Sequence, residues 1–215
     1  MQTTMKLATM GVLLLAVGAY AQQGESELAL RFRGLAPERS EDWDSAAGAE
    51  LQWRHWGNAN AGFALAGGVA TWKALRDFVE DDSAAGYYSS LIEGHAQMGS
   101  VGASLLARGA LGPGVDLVAE GGARYLFVNS DVTARTYSED RSGARSSSDT
   151  LEIDDTWVGL IGLSLEAELS GALSLHGGLE YQFDLGAPHE TYLGRDIGET
   201  SFSAASVVLG VTMRF

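Results

Sequence analysis

The charged side chains of this sequence fall on one row of segments whose other row is apolar, and that spacing limits their chemistry. Arg33, Arg54, Arg108, Arg124 and Arg214 share this polar row with Glu50, Asp116, Glu120, Glu166 and Glu180, and His176 joins them near Glu180. Opposite signs interleaved with Gly and Ser suit mutual neutralisation in an enclosed space, because an unpaired charge there is costly. The spacing suits catalysis less well. A hydroxyl nucleophile needs a base within reach and a third group to orient that base, and nothing near His176 in sequence reads as an activated nucleophile. His176 is therefore expected to be a satisfied interior residue.

Metal and phosphate chemistry find equally little support. Glu80-Asp81-Asp82 and Asp154-Asp155 are clustered carboxylates, but neither run has the ligand spacing and turn glycine of a calcium loop. They read as a solvated acidic rim, beside which divalent cations could bridge to neighbouring anionic groups. Gly99-Ser100-Val101-Gly102 lacks the strand-to-helix setting and the following Lys of a phosphate loop. No cofactor and no metal is expected, and no enzymatic activity.

Eight segments carry these residues, each alternating with a period of two as a half-buried strand does. They run over Glu27–Leu35, Gly48–Trp56, Phe63–Ala74, about Glu93–Gly109, Val115–Phe127, Trp157–Glu168, Leu173–Asp184 and Ser203–Phe215. Gly67-Gly68 predicts a bulge with a slip of parity in the third. Short turns at 57–62, 111–114 and 170–172 alternate with long polar connections at 38–44, 76–90, 129–155 and 187–200. Aromatics gather at segment ends: Trp53, Phe63 and Phe215 at the short-turn end, Phe32, Trp72, Tyr125, Phe127, Trp157, Tyr181 and Phe183 at the other. Two aromatic girdles at two membrane interfaces explain that placement. The third long connection keeps alternating at Val128, Val132, Ala134, Leu151 and Ile153, which predicts a hairpin that runs past the bilayer and could take up partner strands at its edge.

The two ends of the chain agree with this reading. Lys6, the apolar run 8–19 and Ala19-Tyr20-Ala21 read as a secretory signal peptide cleaved after Ala21, leaving 22–215 as one domain. The last segment presents Val207, Leu209, Val211, Met213 and Phe215 as one apolar row ending on an aromatic. Cysteine is absent, so neither disulfides nor a lipid anchor at the signal junction are available, and the net charge of −14 disfavours nucleic acid as a partner. Lys73 is the only lysine beyond the signal segment, whereas a soluble β-protein guards its water face and edges with Lys.

The closing strand with its terminal aromatic resembles that of outer-membrane β-barrel proteins, and the whole chain from residue 22 resembles the small OmpA-barrel and OmpX-like members in architecture. The resemblance implies an all-β, eight-stranded antiparallel up-and-down transmembrane barrel with periplasmic termini, inserted by the barrel-assembly machinery with periplasmic chaperones, and surrounded by outer-membrane lipid and lipopolysaccharide. The apolar row faces lipid and the polar row fills the lumen, the inverse of a soluble barrel. A monomer is expected, with no domain beyond the eighth strand. The lipid A deacylase barrels carry a Ser two residues after a His, and none of His55, His95, His176 and His189 does. The expected role is structural or surface-interactive; a narrow pore for small solutes is the alternative, and a lipid-modifying enzyme a more distant one.

Overall fold

The computed structural model describes residues 25–39, 43–83, 86–140 and 143–215. The expected signal segment, with Ala19 and Ala21, lies outside them. Strands are β1 (Glu25–Pro37), β2 (Ser45–Trp56), β3 (Ala61–Ser83), β4 (Gly86–Gly112), β5 (Val115–Asp140), β6 (Gly143–Thr150), β7 (Glu152–Ile153), β8 (Thr156–Ser170), β9 (Leu173–Asp184), β10 (His189–Tyr192), β11 (Arg195–Glu199) and β12 (Ala204–Arg214). Eight of them, β1, β2, β3, β4, β5, β8, β9 and β12, pair antiparallel in a ring. β12 returns to β1 from Glu27↔Arg214 to Pro37↔Ala204, which leaves the wall without an edge. Among the described residues no helix is long and apolar enough to cross a membrane; the strands do the crossing.

In the middle of the wall the charges turn inward. On β2, Glu50, Gln52 and Arg54 are buried between the outward Leu51 and Trp53. Leu163 on β8, Leu179 on β9 and Leu209 on β12 are 52%, 66% and 62% exposed. Apolar side chains in that position are stable only against lipid, and a basic residue on that face at mid-depth would cost about 2–4 kcal/mol.

β3 corrects two expectations, for one reason. Its pairing runs without a shift through Leu51↔Gly67 and Glu50↔Gly68, so there is no bulge. Gly68 instead makes room: a Cβ there would stand 2.8 Å from Ala49 O and 3.2 Å from Ser100 Oγ. With parity unbroken, even-numbered residues face inward along this stretch, and Trp72 with them. Trp72 is 1% exposed, so it belongs to the lumen and not to a girdle, while Phe32, Trp157 and Tyr181 do face out.

The long connections are more regular than their composition suggests. Residues 76–83 and 86–90 are strand and not loop, since β3 and β4 pair from Arg76↔Ile92 to Ser83↔Gly86. β5 continues to Asp140, paired with β4 as far as Tyr87↔Glu139 and with β6 from Thr133↔Thr150 to Asp140↔Gly143. The outer parts of β3, β4 and β5 with β6 thus form a four-stranded sheet rising from one side of the barrel. Its return strand is β6, not an extension of the barrel strand β8. Beyond the lipid no face need be apolar, so the alternation fades while the hydrogen bonds persist. β7, β10 and β11 form a small second sheet at the same end. The opposite end has tight turns: Asn58 Oδ1 accepts from the Asn60 and Ala61 amides, and Gly114 (φ 68°) closes β4 to β5.

Candidate functional site

The lumen is the one place where the sequence-predicted charges converge, and it is filled in three layers. At the short-turn end the Arg108 guanidinium lies 4.1 Å over the buried Trp56 ring and bonds Glu25 and Glu27. Arg214 bonds the same two carboxylates at 3.0 and 3.2 Å.

Above this floor sits a belt of charges. Glu50 accepts from Arg31 Nη1 at 3.0 Å, Arg33 Nη1 at 3.4 Å and Arg124 Nη2 at 2.8 Å. Glu120 accepts from Arg31 Nη1 at 3.1 Å, Gln52 Nε2 at 2.9 Å and Ser104 Oγ at 2.7 Å. Arg54 pairs with Glu166 and lies 3.8 Å from Glu27, and Arg31 pairs with Glu180. These side chains come from six strands, so the belt ties the wall across its diameter, and every ion is held where its partners can offset the loss of water.

Of the expected network, Arg33, Glu50, Arg54, Arg108, Glu120, Arg124, Glu166, Glu180 and Arg214 all form ion pairs. Asp116 does not: among the described residues it has no ion-pair partner, faces Glu166 directly across the ladder, and is half-buried near the short-turn end. Arg108, on the neighbouring strand β4, bonds Glu25 and Glu27 instead. Arg31, Glu27 and Gln52 are the working members that the expected set lacked. Parity carried the signal, since Glu27 and Arg31 share their row with Arg33.

The third layer closes the long-connection mouth with apolar side chains. Trp43, Trp72 and Phe202 form a triangle with ring centroids 5.4–5.8 Å apart, packed with Leu35, Met98, Leu126 and Val158. Trp72 belongs to a wall strand. Phe202 arrives on the segment between β11 and β12, where Asp184 accepts from Ser201 Oγ at 2.6 Å, Ser203 Oγ at 3.0 Å and the Phe202 amide at 3.1 Å.

His176 is 4% exposed, with Nδ1 3.3 Å from Thr212 Oγ1 and its ring close against Gly210, where a Cβ would stand 2.5 Å from Cε1, as a space-filling residue would be. A Ser–His contact does exist, across strands: Ser26 Oγ lies 3.2 Å from His55 Nδ1 on the lipid-facing side. Ser26 is 2% exposed, and among the described residues no carboxylate orients His55, so access and the third group of a hydrolytic site are both missing. Among the described residues no group of three or more His, Asp and Glu gathers for a metal. Asp155 is spent on the wall, accepting the Val128 amide at 2.8 Å; the side chains of Glu80-Asp81-Asp82 lie outside the described residues. On β12, Val207, Leu209, Val211 and Met213 point outward, and Phe215 just past its end is exposed as well.

No family model and no curated protein sequence matches the chain. Solved structures do. The outer membrane protein OprG from Pseudomonas aeruginosa is 11% identical, covers 89% of this chain and 96% of its own, and superposes with a TM-score of 0.53. Ail, the attachment invasion locus protein of Yersinia pestis (18% identity, 90% and 100% covered, TM-score 0.43), and Neisserial surface protein A (11%, 89% and 97%, 0.47) are also similar. At these identities the likeness bears on fold alone. Together with a charged interior, an apolar exterior and a closed ring of strands, it makes the fold that of the small transmembrane β-barrels of outer membranes.

Proposed function

We propose that the chain is an outer-membrane protein whose barrel is a closed anchor and whose working surface is the sheet that rises from it. The observation that carries this reading is the division of labour between the two. The lumen is filled by the Trp56 floor, the charge belt and the aromatic plug, so it offers no continuous water path. The raised sheet extends past the barrel wall, and among the described residues its two outermost strands pair on one side only: β6 with β5, and β3 beyond Lys73 with β4. Free backbone donors and acceptors along such edges can add a strand from another molecule.

In this reading residues 1–21, cleaved after Ala21, export the chain. The outward row ending at Phe215 is the segment that the assembly machinery engages. Lipid and lipopolysaccharide surround the apolar band, and the protein acts as a monomer. The experiment is a barrel in which residues 134–149 are replaced by a short Gly-Ser turn. Cells displaying it are expected to keep the SDS-resistant, heat-modifiable form but to lose the capture of extended, strand-forming peptides that cells displaying the intact barrel show. Equal binding by both forms rejects the reading. Reconstitution in planar bilayers addresses the narrow-pore alternative: silence fits the closed anchor, and stepwise conductance favours a pore.

A further inference from the structure

Between the charge belt and the aromatic plug lies a cavity of about 20 Å³, room for a water molecule. Its lining joins two kinds of surface. Trp72, Met98 and Leu126 form an apolar wall, while Arg33, Arg124 and Gln182 form a polar floor. The floor has donors to spare. Arg124, 3% exposed at its side chain, gives Nη2 to Glu50, while its Nη1 is buried with no protein acceptor. Glu50 is the one carboxylate in the lining and already accepts from Arg31, Arg33 and Arg124, so the lining itself carries two cations to one anion. A buried guanidinium N–H without an acceptor is costly, and a carboxylate is the group that meets it best.

Next to this cavity, on the far side of Trp72 and Gln182, the apolar space is occupied from within the chain. Phe202, fully buried against Trp43 and Trp72, is not part of the wall; its carbonyl accepts from Gln182 Nε2 at 2.7 Å, and Gln182 in turn accepts from Arg33 at 3.3 Å. The segment is held by hydrogen bonds at the mouth and by no strand pairing, since β12 begins only at Ala204. Withdrawing it leaves every ladder of the barrel intact.

We propose that the mouth of the lumen is a binding site for a small amphipathic carboxylate, with the acid group against Arg124 and the apolar body in the space that Phe202 fills. Phe202 is the internal occupant that such a ligand displaces. Apolar walls with a few convergent polar groups are the usual make-up of small-molecule sites. The proposal is independent of the raised sheet, because it concerns the lumen alone.

Phenylacetate and its neutral isostere phenylacetamide, titrated into the refolded protein in detergent micelles, provide the test. Trp43 and Trp72 flank the site and report occupancy by fluorescence. In Phe202→Ala, phenylacetate is expected to bind at least tenfold tighter than in the unaltered protein, and at least tenfold tighter than phenylacetamide. Adding Arg124→Gln removes the preference for the anion and leaves amide binding in place. Should Arg124→Gln fail to refold, Met98→Trp in the Phe202→Ala background refills the apolar space and is expected to abolish binding of both compounds. Equal affinity for acid and amide in Phe202→Ala, absence of saturable binding there, anion preference surviving Arg124→Gln, or binding surviving Met98→Trp each overturns the proposal.

Discussion

Glu50 and Phe202 stopper the same tube by unlike means. Glu50 stands on a wall strand and gathers three guanidiniums contributed by two other strands, so moving it disturbs the ring itself. Phe202 stands on a connection, and its anchors are Asp184, Gln182 and two tryptophans at the mouth. The charge belt is therefore part of the barrel's cooperative unit. The plug is an attachment to it, with a local stability of its own. Substitutions on the two sides of this divide should differ in kind as well as in size.

The largest effect is expected at the belt. Glu50→Ala strips the shared acceptor from Arg31, Arg33 and Arg124 and leaves buried cations uncompensated, which costs about 3–5 kcal/mol. Urea unfolding in lipid vesicles, read by the loss of heat-modifiable migration, measures it. A loss below about 1 kcal/mol would mean that water reaches the belt and that the layer is not a seal.

An intermediate effect belongs to the wall beside the belt. A Cβ at Gly210 would sit 2.3 Å from the Leu30 carbonyl and 2.5 Å from His176 Cε1. Gly210→Ala is expected to cost about 1–3 kcal/mol through overpacking. His176→Ala in the same chain should recover only part of that loss, because the backbone clash remains. Full recovery would show that the ring alone sets the spacing of β9 and β12.

The sequence foretold the belt far better than the plug, and the reason is geometric. Alternation fixes which face a strand residue takes, so Glu50, Arg54, Glu120 and Arg124 could be assigned to the lumen from parity alone. The same rule applied without a break would also have placed Trp72 inside; reading Gly67-Gly68 as a bulge misdirected it. Trp43 and Phe202 lie on connections, where no period says which way a side chain turns, and the aromatic triangle depends on three segments far apart in sequence. The raised sheet was half legible. Val132 and Ala134 still alternate, but the acidic run after Asp77 looks like a loop because strands above lipid owe nothing to an apolar face. Asp116 shows the limit in the other direction: parity gives the face and not the partner.

A smaller global effect is expected at the plug. Truncating a fully buried Phe commonly costs about 3–5 kcal/mol, yet in Phe202→Ala that loss falls on the docking of residues 200–203. The barrel's unfolding midpoint is expected to shift by less than about 1 kcal/mol, while amide exchange at 201–203 speeds up by at least a hundredfold. If both move together, the plug and belt are one cooperative unit and the distinction drawn from their positions fails.

The smallest effect separates the anchor from the ring it holds. Asp184→Asn keeps the shape and one acceptor oxygen but places an amide donor where Ser201 and Ser203 now donate. Both hydroxyls can rotate to accept from that amide, so the loss is about 1 kcal/mol. Exchange at 201–203 is expected to rise about fivefold, which is that energy on a scale of tenfold per 1.4 kcal/mol. The barrel's unfolding midpoint should stay put, because Asp184 lies at the end of β9 and the pairing of β9 with β12 starts one turn of the ladder further in, at Ala204↔Gln182. An unchanged exchange rate would assign the segment's hold to the Trp43–Phe202–Trp72 contacts, and a falling midpoint would tie the anchor to the wall.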